Sequence, residues 1–305
     1  NAVKAIIKNT LFKALDNEDP DKIEYLWYKM WKAHHYAGRG APMSFSISAI
    51  DSALWDLKCK RLKIPLWNLL GGFRTSVKAY VGSIDLNFSK EKLVSNASKY
   101  IDDGYKAIKM RLGKQNIYED IERIETMKNF LPKDVELMAD ANEAWRLDEA
   151  LKASSLLKQY NLKWLEEPIQ PDNYRGYKEL RHITGIPIAA GENLHTLEEF
   201  NLLISNQGVD FPEPDFTTCG GITPFMKIAK LAESYNLPII SHGAHDLHIS
   251  LLASIPNAAY IEIHAFAIDN LIEKELNVID GYAQTSNRDG HGIVFKLDVM
   301  EKFKI

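Results

Sequence analysis

Three short stretches decide the fold of this chain: ELMADAN at 136–142, KWLEEP at 163–168 and PIAAGEN at 187–193. Each is an apolar run that ends in an acid, and these acids (Asp140, Glu166 and Glu192) are 26 residues apart, twice over. Segments with helical patterns lie between them, at 147–160 and 173–183. Strand and helix alternating at a constant period predict βα units.

The same alternation covers most of the chain. It predicts eight strands, at 78–82, 106–112, 136–141, 163–167, 186–192, 209–215, 237–243 and 259–265. Seven helices are expected between them, at about 90–102, 117–130, 147–160, 173–183, 196–206, 222–236 and 246–255, and a helix at 46–62 could supply the eighth outer partner. Pro212 and Pro214 predict a short or distorted sixth strand. We expect an α/β fold, a (β/α)7β barrel of the TIM type.

Residues outside the barrel predict an α+β capping domain built from both ends of the chain. Helices are expected at 1–16 and 21–36, and a hairpin is expected from NVIDGYAQ (277–284) and GIVFKLD (292–298), packed against these first helices. The predicted division is 1–75 for the capping part and the helix leading into the barrel, 76–265 for the barrel with the active site, and 266–305 for the returning segment. The three helices predicted at the start of the chain provide no β-sheet for a capping domain, so we expect an N-terminal part of the cap to lie outside this sequence.

Composition narrows the class of partner. The 305 residues are 46% hydrophobic and 26% charged, as in an ordinary globular protein. A net charge of −4 indicates neither nucleic acid nor an anionic membrane as a partner. No apolar run approaches the roughly 18–20 residues of a membrane span, and no signal peptide is recognisable. Cys59 and Cys219 are too few for a disulfide framework, so we expect plain thiols in the cytoplasm.

The acids at the strand ends predict a metal site. In a closed barrel, the C-terminal ends of the strands converge on one mouth. Taken singly, an acid at a strand end is most often a helix cap or a solvated loop residue. Three carboxylates at one mouth would repel each other unless a cation lay between them. An all-oxygen set suits Mg2+, with Mn2+ as the alternative.

The other strand ends carry further charged side chains: Lys109 and Arg111 on the second, Asp215 on the sixth, His242 on the seventh and Glu262 on the eighth. Each alone has an ordinary explanation as a cap or a solvated charge, although an acid inside an apolar strand, such as Glu262, is costly unless paired. Together they are what proton abstraction next to a carboxylate requires. A metal holds the carboxylate and stabilises the enediolate, while a histidine oriented by a carboxylate takes the proton.

In combination these residues resemble the enolase superfamily, and the His–Asp pair resembles its mandelate racemase subgroup. The resemblance covers nearly the whole chain and includes the stretch SAIDSALWDLKCKRLKIPLWNLLGG at 48–72, which is similar to the helix preceding the barrel in that family. The motifs that carry it are Lys109-x-Arg111, Asp140-x-Asn142, Trp164-x-Glu166-Glu167-Pro168, Gly191-Glu192-Asn193, Asp215 and His242.

The resemblance implies a role for each residue. Asp140, Glu166 and Glu192 are implied as Mg2+ ligands, and His242 as the general base or acid with Asp215 as its partner. Further implied roles are a contact of Lys109 with the substrate carboxylate, a hydrogen bond or proton from Glu262 to the carboxylate oxygen of the intermediate, and a contact of Asn142 with the substrate or a metal-bound water. His195 and His245 follow Glu192 and His242 and could line the pocket, with exposed loop histidines as the equal alternative.

Two departures from the family favour dehydration. Arg111 stands where many members carry a lysine base, and arginine stays protonated, which disfavours a two-base racemase. Asp215 stands where muconate-lactonising and dipeptide-epimerising relatives carry lysine. One histidine that removes the α-proton and then protonates a departing 3-hydroxyl suffices for dehydration. The leading hypothesis is a Mg2+-dependent dehydratase of an acid sugar, an aldonate such as gluconate or galactonate, giving the 2-keto-3-deoxy acid.

Three alternatives stay open. A racemase, epimerase or cycloisomerase could use the same scaffold. A catalytically silent paralogue could bind metal without turnover. A carboxylate-rich barrel glycosidase would also use paired acids, although it has no need of the Lys-x-Arg motif or the His–Asp pair. We expect a homo-oligomer, since barrels of this kind commonly associate.

Overall fold

The computed structural model describes residues 2–36, 38–265 and 268–303. The helices are α1 (Ala2–Ile6), α2 (Phe12–Leu15), α3 (Ile23–Ala33), α4 (Ala41–Leu62), α5 (Leu66–Leu69), α6 (Lys90–Asp102), α7 (Ile117–Phe130), α8 (Leu147–Leu157), α9 (Tyr174–Thr184), α10 (Leu197–Ser205), α11 (Ile222–Ser234), α12 (His245–Ala253) and α13 (Leu297–Met300). The strands are β1 (Ser76–Gly82), β2 (Ala107–Arg111), β3 (Glu136–Asp140), β4 (Leu165–Glu166), β5 (Ile188–Ala190), β6 (Phe211–Pro212), β7 (Ile239–Ile240), β8 (Ala258–Ile263), β9 (Val278–Ile279) and β10 (Tyr282–Gln284).

Strands β1 to β8 alternate with helices and form a TIM-type barrel. Parallel ladders join β1 to β6 in order, β7 to β8, and β8 back to β1. Within residues 76–265, all of which the structure describes, no ladder joins β6 to β7. Pro212 and Pro214 lie at this point, and proline has no backbone N–H to donate to a neighbour.

Several strands are shorter than predicted. The apolar runs continue past the last paired residue, but the backbone leaves the extended conformation within two residues of each acid. Asn142, Glu167 and Gly191 have φ values of 44°, 37° and 145°. A positive φ is incompatible with a strand, so each ladder ends there and the chain turns into a loop.

The barrel interior has two layers. The lower one is apolar, with one side chain from each strand: Tyr80, Ala107, Met138, Trp164, Ala189, Phe211, Ile240 and Tyr260. Strand side chains on one face recur every second residue. The layer above it is formed by the residues two positions later in each strand or just after it: Gly82, Lys109, Asp140, Glu166, Gly191, Glu213, His242 and Glu262. The fold thus places a charged layer on an apolar floor at the C-terminal end of the barrel.

The N-terminal helices pack together beside the barrel. A cluster of Leu11, Met30, Met43, Ile47 and Ile50 joins them. The helix α4 begins at Ala41, five residues before the predicted start, because Pro42 occupies the first turn, where proline costs no hydrogen bond. In the described part of the chain, no helix is long and apolar enough to cross a membrane.

The C-terminal segment differs from the prediction. The hairpin forms inside 277–284 alone, where β9 and β10 pair around Asp280 (φ 49°) and Gly281 (φ 77°). Asp-Gly is the favoured two-residue loop of a hairpin because both positions need positive φ. The expected second strand at 292–298 contributes only an isolated bridge from Phe295 to Ile272.

The hairpin also docks elsewhere than expected. Strand β10 pairs antiparallel with β1, through Ser76 and Gln284 among others. The following residues contact α4 and the turn after it, where His291 N–H donates to Asp56 Oδ1 at 3.0 Å and Leu66 N–H donates to Gly290 O at 2.7 Å. The returning segment therefore extends the barrel sheet through β10 and contacts α4, which belongs to the predicted capping part.

A buried carboxyl group ties α4 to the barrel. Asp51 is fully buried, and its two oxygens accept hydrogen bonds from the Thr223 N–H (2.9 Å) and the Thr223 hydroxyl (2.7 Å) at the start of α11. Gly221 has φ 111°, and a Cβ there would lie 2.4 Å from the Asp51 carboxylate. Only glycine therefore lets α4 approach this closely.

The burial of Asp51 predicts a pH-dependent stability. Burial, opposed by the hydrogen bonds from Thr223, raises the pKa of Asp51 to about 7 from 3.8. A carboxyl that holds its proton more tightly when folded loses stability as pH rises from about 4 to about 7. The Asp51→Asn variant has no ionisable group at this position, so it lacks this loss of stability with rising pH. We expect its free energy of unfolding, relative to wild type, to rise by about 1–4 kcal/mol from pH 5 to pH 8 in urea titrations. A difference independent of pH would contradict this.

Candidate active site

Three carboxylates from neighbouring strands meet at the mouth of the barrel. Asp140 ends β3, Glu166 ends β4, and Glu192 follows β5 by two residues. Each offers an oxygen within 4.8 Å of the oxygens of the other two. Asp140 and Glu166 are fully buried, and the Glu192 side chain is 10% exposed. The predicted convergence of these acids is thus present.

The mouth carries more negative than positive charge. Asp140, Glu166, Glu192 and Glu262 face three basic groups, which are Lys109, Arg111 and the imidazole of His242. Burial raises the pKa of Glu166 well above its usual range, and the charges of Asp140, Glu262 and Glu192 add to this rise while that of Lys109 opposes it. A further positive charge between these carboxylates would relieve that cost.

The donor set fits Mg2+. Asp140 Oδ2 and Glu192 Oε2 are buried, and within the described residues neither accepts a well-directed hydrogen bond. Basic nitrogens lie close to both, Arg111 Nη1 at 2.7 Å from Asp140 Oδ2 and His242 Nε2 at 3.2 Å from Glu192 Oε2. Three carboxylate oxygens with room for water are the ligands that Mg2+ prefers. The indole N–H of Trp164 donates to Glu166 Oε2 at 2.9 Å and orients this ligand.

Lys109 lies beneath the carboxylates. Its ammonium group contacts Glu166, lies 2.8 Å from Glu262 Oε1 and 3.5 Å from Asp140 Oδ2, and is 2% exposed. Gly82 makes room for this pair, because a Cβ there would lie 2.7 Å from Glu262 Oε1. Lys109 therefore neutralises the floor of the site. Its expected contact with the substrate carboxylate stays a prediction.

His242 and Asp215 form the expected pair. His242 Nδ1 lies 3.1 Å from Asp215 Oδ2, and Asp215 Oδ1 accepts from the N–H and the hydroxyl of Thr217, both at 2.7 Å. The second nitrogen, Nε2, then faces Glu192. Burial lowers the pKa of His242, but the bond to Asp215 and the charges of Glu192 and Glu262 outweigh it and raise this pKa to about 10. A positive charge bound at the carboxylates would weaken that rise.

Glu262 is held from both sides. Its Oε2 accepts the Gly243 N–H at 2.8 Å, and its Oε1 faces Lys109. Burial raises the pKa of Glu262, but the charges of Lys109 and His242 outweigh it and lower this pKa to about 2. In this state the group accepts hydrogen bonds, so its expected role as a proton donor to the intermediate stays a prediction.

The predicted substrate-binding residues occupy different positions. Asn142 lies between two metal-site carboxylates, with its N–H 2.8 Å from Asp140 Oδ1 and its amide nitrogen 3.5 Å from Glu192 Oε1. The ring of His195 packs edge-on against Phe45 of α4, with ring centroids 5.8 Å apart.

His245 is turned away from the metal site. It is 4% exposed, its Nδ1 accepts the His264 N–H at 3.3 Å, and its Nε2 faces Asp246 at 3.6 Å. The geometry therefore places Asn142 in the site and makes His245 a support. A substrate contact from any of the three predicted residues stays a prediction.

Several residues of the site were missed by sequence reasoning. His264 and Glu213 lie two residues from Glu262 and Asp215, so the period of the strand could have identified them. Glu213 is fully buried, accepts the Tyr80 hydroxyl at 3.1 Å, and burial raises its pKa well above the usual range. His248 could not have been found, because α12 and two loops bring it into place.

His248 joins the loops that carry the His–Asp pair. It is fully buried on α12, its Nδ1 lies 2.8 Å from Gly243 O, and its Nε2 accepts the Phe216 N–H at 3.1 Å. Gly243 follows His242, and Phe216 follows Asp215. One neutral imidazole thus fixes the two loops relative to each other.

Comparison with protein families identifies the superfamily to which the chain belongs. Residues 92–299 match the family model described as enolase C-terminal domain-like, and residues 1–71 match that of the mandelate racemase / muconate lactonizing enzyme N-terminal domain. The chain belongs to the enolase superfamily, in its mandelate racemase subgroup. The resemblance inferred from the motifs is confirmed.

Two curated members of this superfamily are similar over the whole chain. The 3,6-anhydro-alpha-L-galactonate cycloisomerase of Streptomyces coelicolor is 38% identical over 100% of this chain and 84% of its own. The arabinonate dehydratase of Saccharolobus solfataricus is 32% identical over the same shares. A crystal structure of a racemase from Streptomyces coelicolor A3(2) with bound magnesium superposes with a TM-score of 0.97 at 38% identity, again covering 100% of this chain and 84% of that one.

The carboxylate cluster predicts a stabilising response to Mg2+. An ion bound only by the folded state at 100 times its Kd adds about 2.7 kcal/mol. For a chain of this size this raises the melting temperature by about 5 °C. Glu166→Gln removes one ligand and is expected to abolish most of the rise, measured by differential scanning calorimetry with and without Mg2+.

The matched control is Glu136→Gln, which changes the same residue type in the same barrel. Glu136 begins β3 at the opposite end and contacts Lys78 at 2.6 Å. This variant should keep the full Mg2+ response. A full response in Glu166→Gln would contradict the assignment of the three carboxylates.

Proposed function

We propose that this protein is a Mg2+-dependent enzyme that removes the α-proton of an acid sugar and expels the oxygen on carbon 3. With a free 3-hydroxyl this reaction is dehydration of an aldonate, gluconate or galactonate being examples, to the 2-keto-3-deoxy acid. The observation that carries the proposal is His242, held by Asp215 and directed toward Glu192. Both similar enzymes named above act on acid sugars.

The chain's own residues cover the steps of such a reaction. Asp215 holds His242 Nδ1, which leaves Nε2 to take the proton from carbon 2. Bound Mg2+ would add positive charge where the substrate carboxylate becomes more negative as that proton leaves. Lys109, beneath the carboxylates, and Arg111, beside Asp140, balance the remaining charge. The C–H electron pair forms the double bond between carbons 2 and 3, and the C3–O bond breaks.

A cycloisomerase is the second candidate, favoured by the 38% identity to the anhydrogalactonate enzyme. In a 3,6-anhydro sugar acid, the oxygen on carbon 3 is part of a ring. Breaking the C3–O bond then opens the ring and releases no water, so the product is an isomer. The first step and the base are the same, and the two candidates differ only in what the oxygen carries.

A racemase is less well supported. Arg111 lies on the opposite side of the carboxylate cluster from His242, and its Nη1 is 2.7 Å from Asp140 Oδ2. The charges of Asp140, Glu166 and Glu192 outweigh burial and raise the pKa of Arg111 further above its usual range. A guanidinium held in this way is no base for the second face of the α-carbon.

The test is a screen of the purified protein with Mg2+ against D-gluconate, D-galactonate, D-arabinonate and 3,6-anhydro-α-L-galactonate. The 2-keto-3-deoxy product is read by semicarbazide absorbance. We expect product from at least one of these, loss of turnover with EDTA, and a loss of about 100-fold or more in His242→Ala, because general-base catalysis contributes about 10²–10⁴.

The control is His182→Ala, an exposed histidine on α9 away from the site, which should turn over like wild type. Exchange of the α-proton with solvent, followed by NMR in D2O, separates the alternatives. Exchange without product would favour a racemase. Neither exchange nor product in the wild type would overturn the proposal in favour of a silent paralogue.

A further inference from the structure

His264 is a second imidazole at the mouth, directly beside the proposed base. It follows β8 and lies two residues beyond Glu262, so it points to the same side of the strand and sits closer to the mouth. One nitrogen of His264, one nitrogen of His242 and one oxygen of Glu262 lie within 4.8 Å of one another. The two rings have centroids 5.3 Å apart and planes inclined at 65°.

This trio is not a second cation site. Glu262 Oε1 is 2.8 Å from Lys109 Nζ, and Glu262 Oε2 accepts the Gly243 N–H. Both carboxylate oxygens are therefore already engaged, one by an ammonium group and one by a backbone N–H. The arrangement instead suits contact with a polar, uncharged group of a ligand.

Contacts with neighbouring residues hold His264 in place. The residue is 7% exposed, and its backbone N–H donates to His245 Nδ1 at 3.3 Å. His245 in turn faces Asp246 through its other nitrogen. The loop after β8 is thus anchored to the start of α12, which follows the His242 loop, so the two imidazoles are held in one arrangement.

The charge state supports a hydrogen-bonding role. Burial lowers the pKa of His264 to about 4; the charges of His242, Lys109 and Arg111 act in the same direction, and that of Glu262 opposes them. A neutral imidazole has one N–H donor and one acceptor nitrogen. It can therefore donate a hydrogen bond to an oxygen next to His242 without competing for the α-proton.

We infer that His264 contacts the substrate and hydrogen-bonds the oxygen that leaves carbon 3. This inference rests on the proposed function, in which His242 takes the proton from carbon 2. Carbon 3 is one bond further, so the oxygen on it lies within a few ångströms of His242. Asp215, Glu192 and Glu262 beside His242 are carboxyl groups, whereas His264 is a neighbouring imidazole. The inference applies equally to a hydroxyl and to a ring ether.

The proton balance assigns different tasks to the two histidines. The C2–H bond breaks, and His242 takes the proton while the electron pair forms the C2=C3 bond. The C3–O bond breaks, and the oxygen leaves with the electron pair of this C3–O bond and receives the proton from His242. His264 stabilises the negative charge on this oxygen by its N–H and undergoes no net change. The enol product then tautomerises to the ketone.

The experiment separates α-proton removal from departure of the oxygen. Wild type, His264→Ala, His264→Asn and His242→Ala are compared with Mg2+ in D2O on D-galactonate and 3,6-anhydro-α-L-galactonate. NMR gives both the deuterium in recovered substrate and the product. We expect His264→Ala to lose at least about tenfold in elimination while exchange at carbon 2 continues, so that exchange per product rises. Asparagine keeps an N–H donor and should restore part of the elimination rate.

The outcomes are distinct. His242→Ala should lose exchange and elimination together. An equal loss of both in His264→Ala would make the residue merely structural, and an unchanged elimination rate would show that it has no role; either result overturns the inference. No exchange and no product in the wild type would overturn the proposed function as well. Equal melting temperatures and equal Mg2+ responses of the variants exclude misfolding as the cause.

Discussion

The compensation of buried negative charge is the constraint on which the rest of the structure depends. Asp140, Glu166, Glu192 and Glu262 lie together at the mouth of the barrel on an apolar floor, where a buried, isolated charge is very costly. Lys109 offsets part of this cost from below. A cation above would offset the remainder, so the same burial that destabilises the carboxylates suits them to a divalent ion.

The charged layer and the apolar core of the barrel are formed by different residues of the same strands. An apolar floor of eight side chains carries the fold, and the charged residues follow two positions later on the same strands. Positive φ values within two residues of the acids end the strands at the mouth. On each strand, the apolar residue of the floor and the residue of the charged layer are thus two positions apart, which is one period of the pleat.

The loops after β6, β7 and β8 place histidines and acids on one side of the barrel mouth. His242 and Asp215 lie on consecutive strand ends, and His248 links their loops through two backbone groups. His264 and Glu262 lie beside them on β8, whereas Arg111 faces the opposite side. The imidazoles are therefore gathered on one side of the site, as the proposed removal and delivery of a proton on one side would require.

The sequence by itself determined the eight-strand alternation and the three acids at a repeat of 26 residues, because each is a local pattern with a fixed period. It also indicated the His–Asp pair, because both residues end predicted strands and resemble a known family motif. It could not determine that Lys109 lies beneath the carboxylates, that the hairpin closes within 277–284, or that His248 and His264 flank the proposed base. These depend on where distant loops meet. Only the tertiary structure brings α12 against the loop after β6, and only burial there decides which of several neighbouring histidines stays neutral.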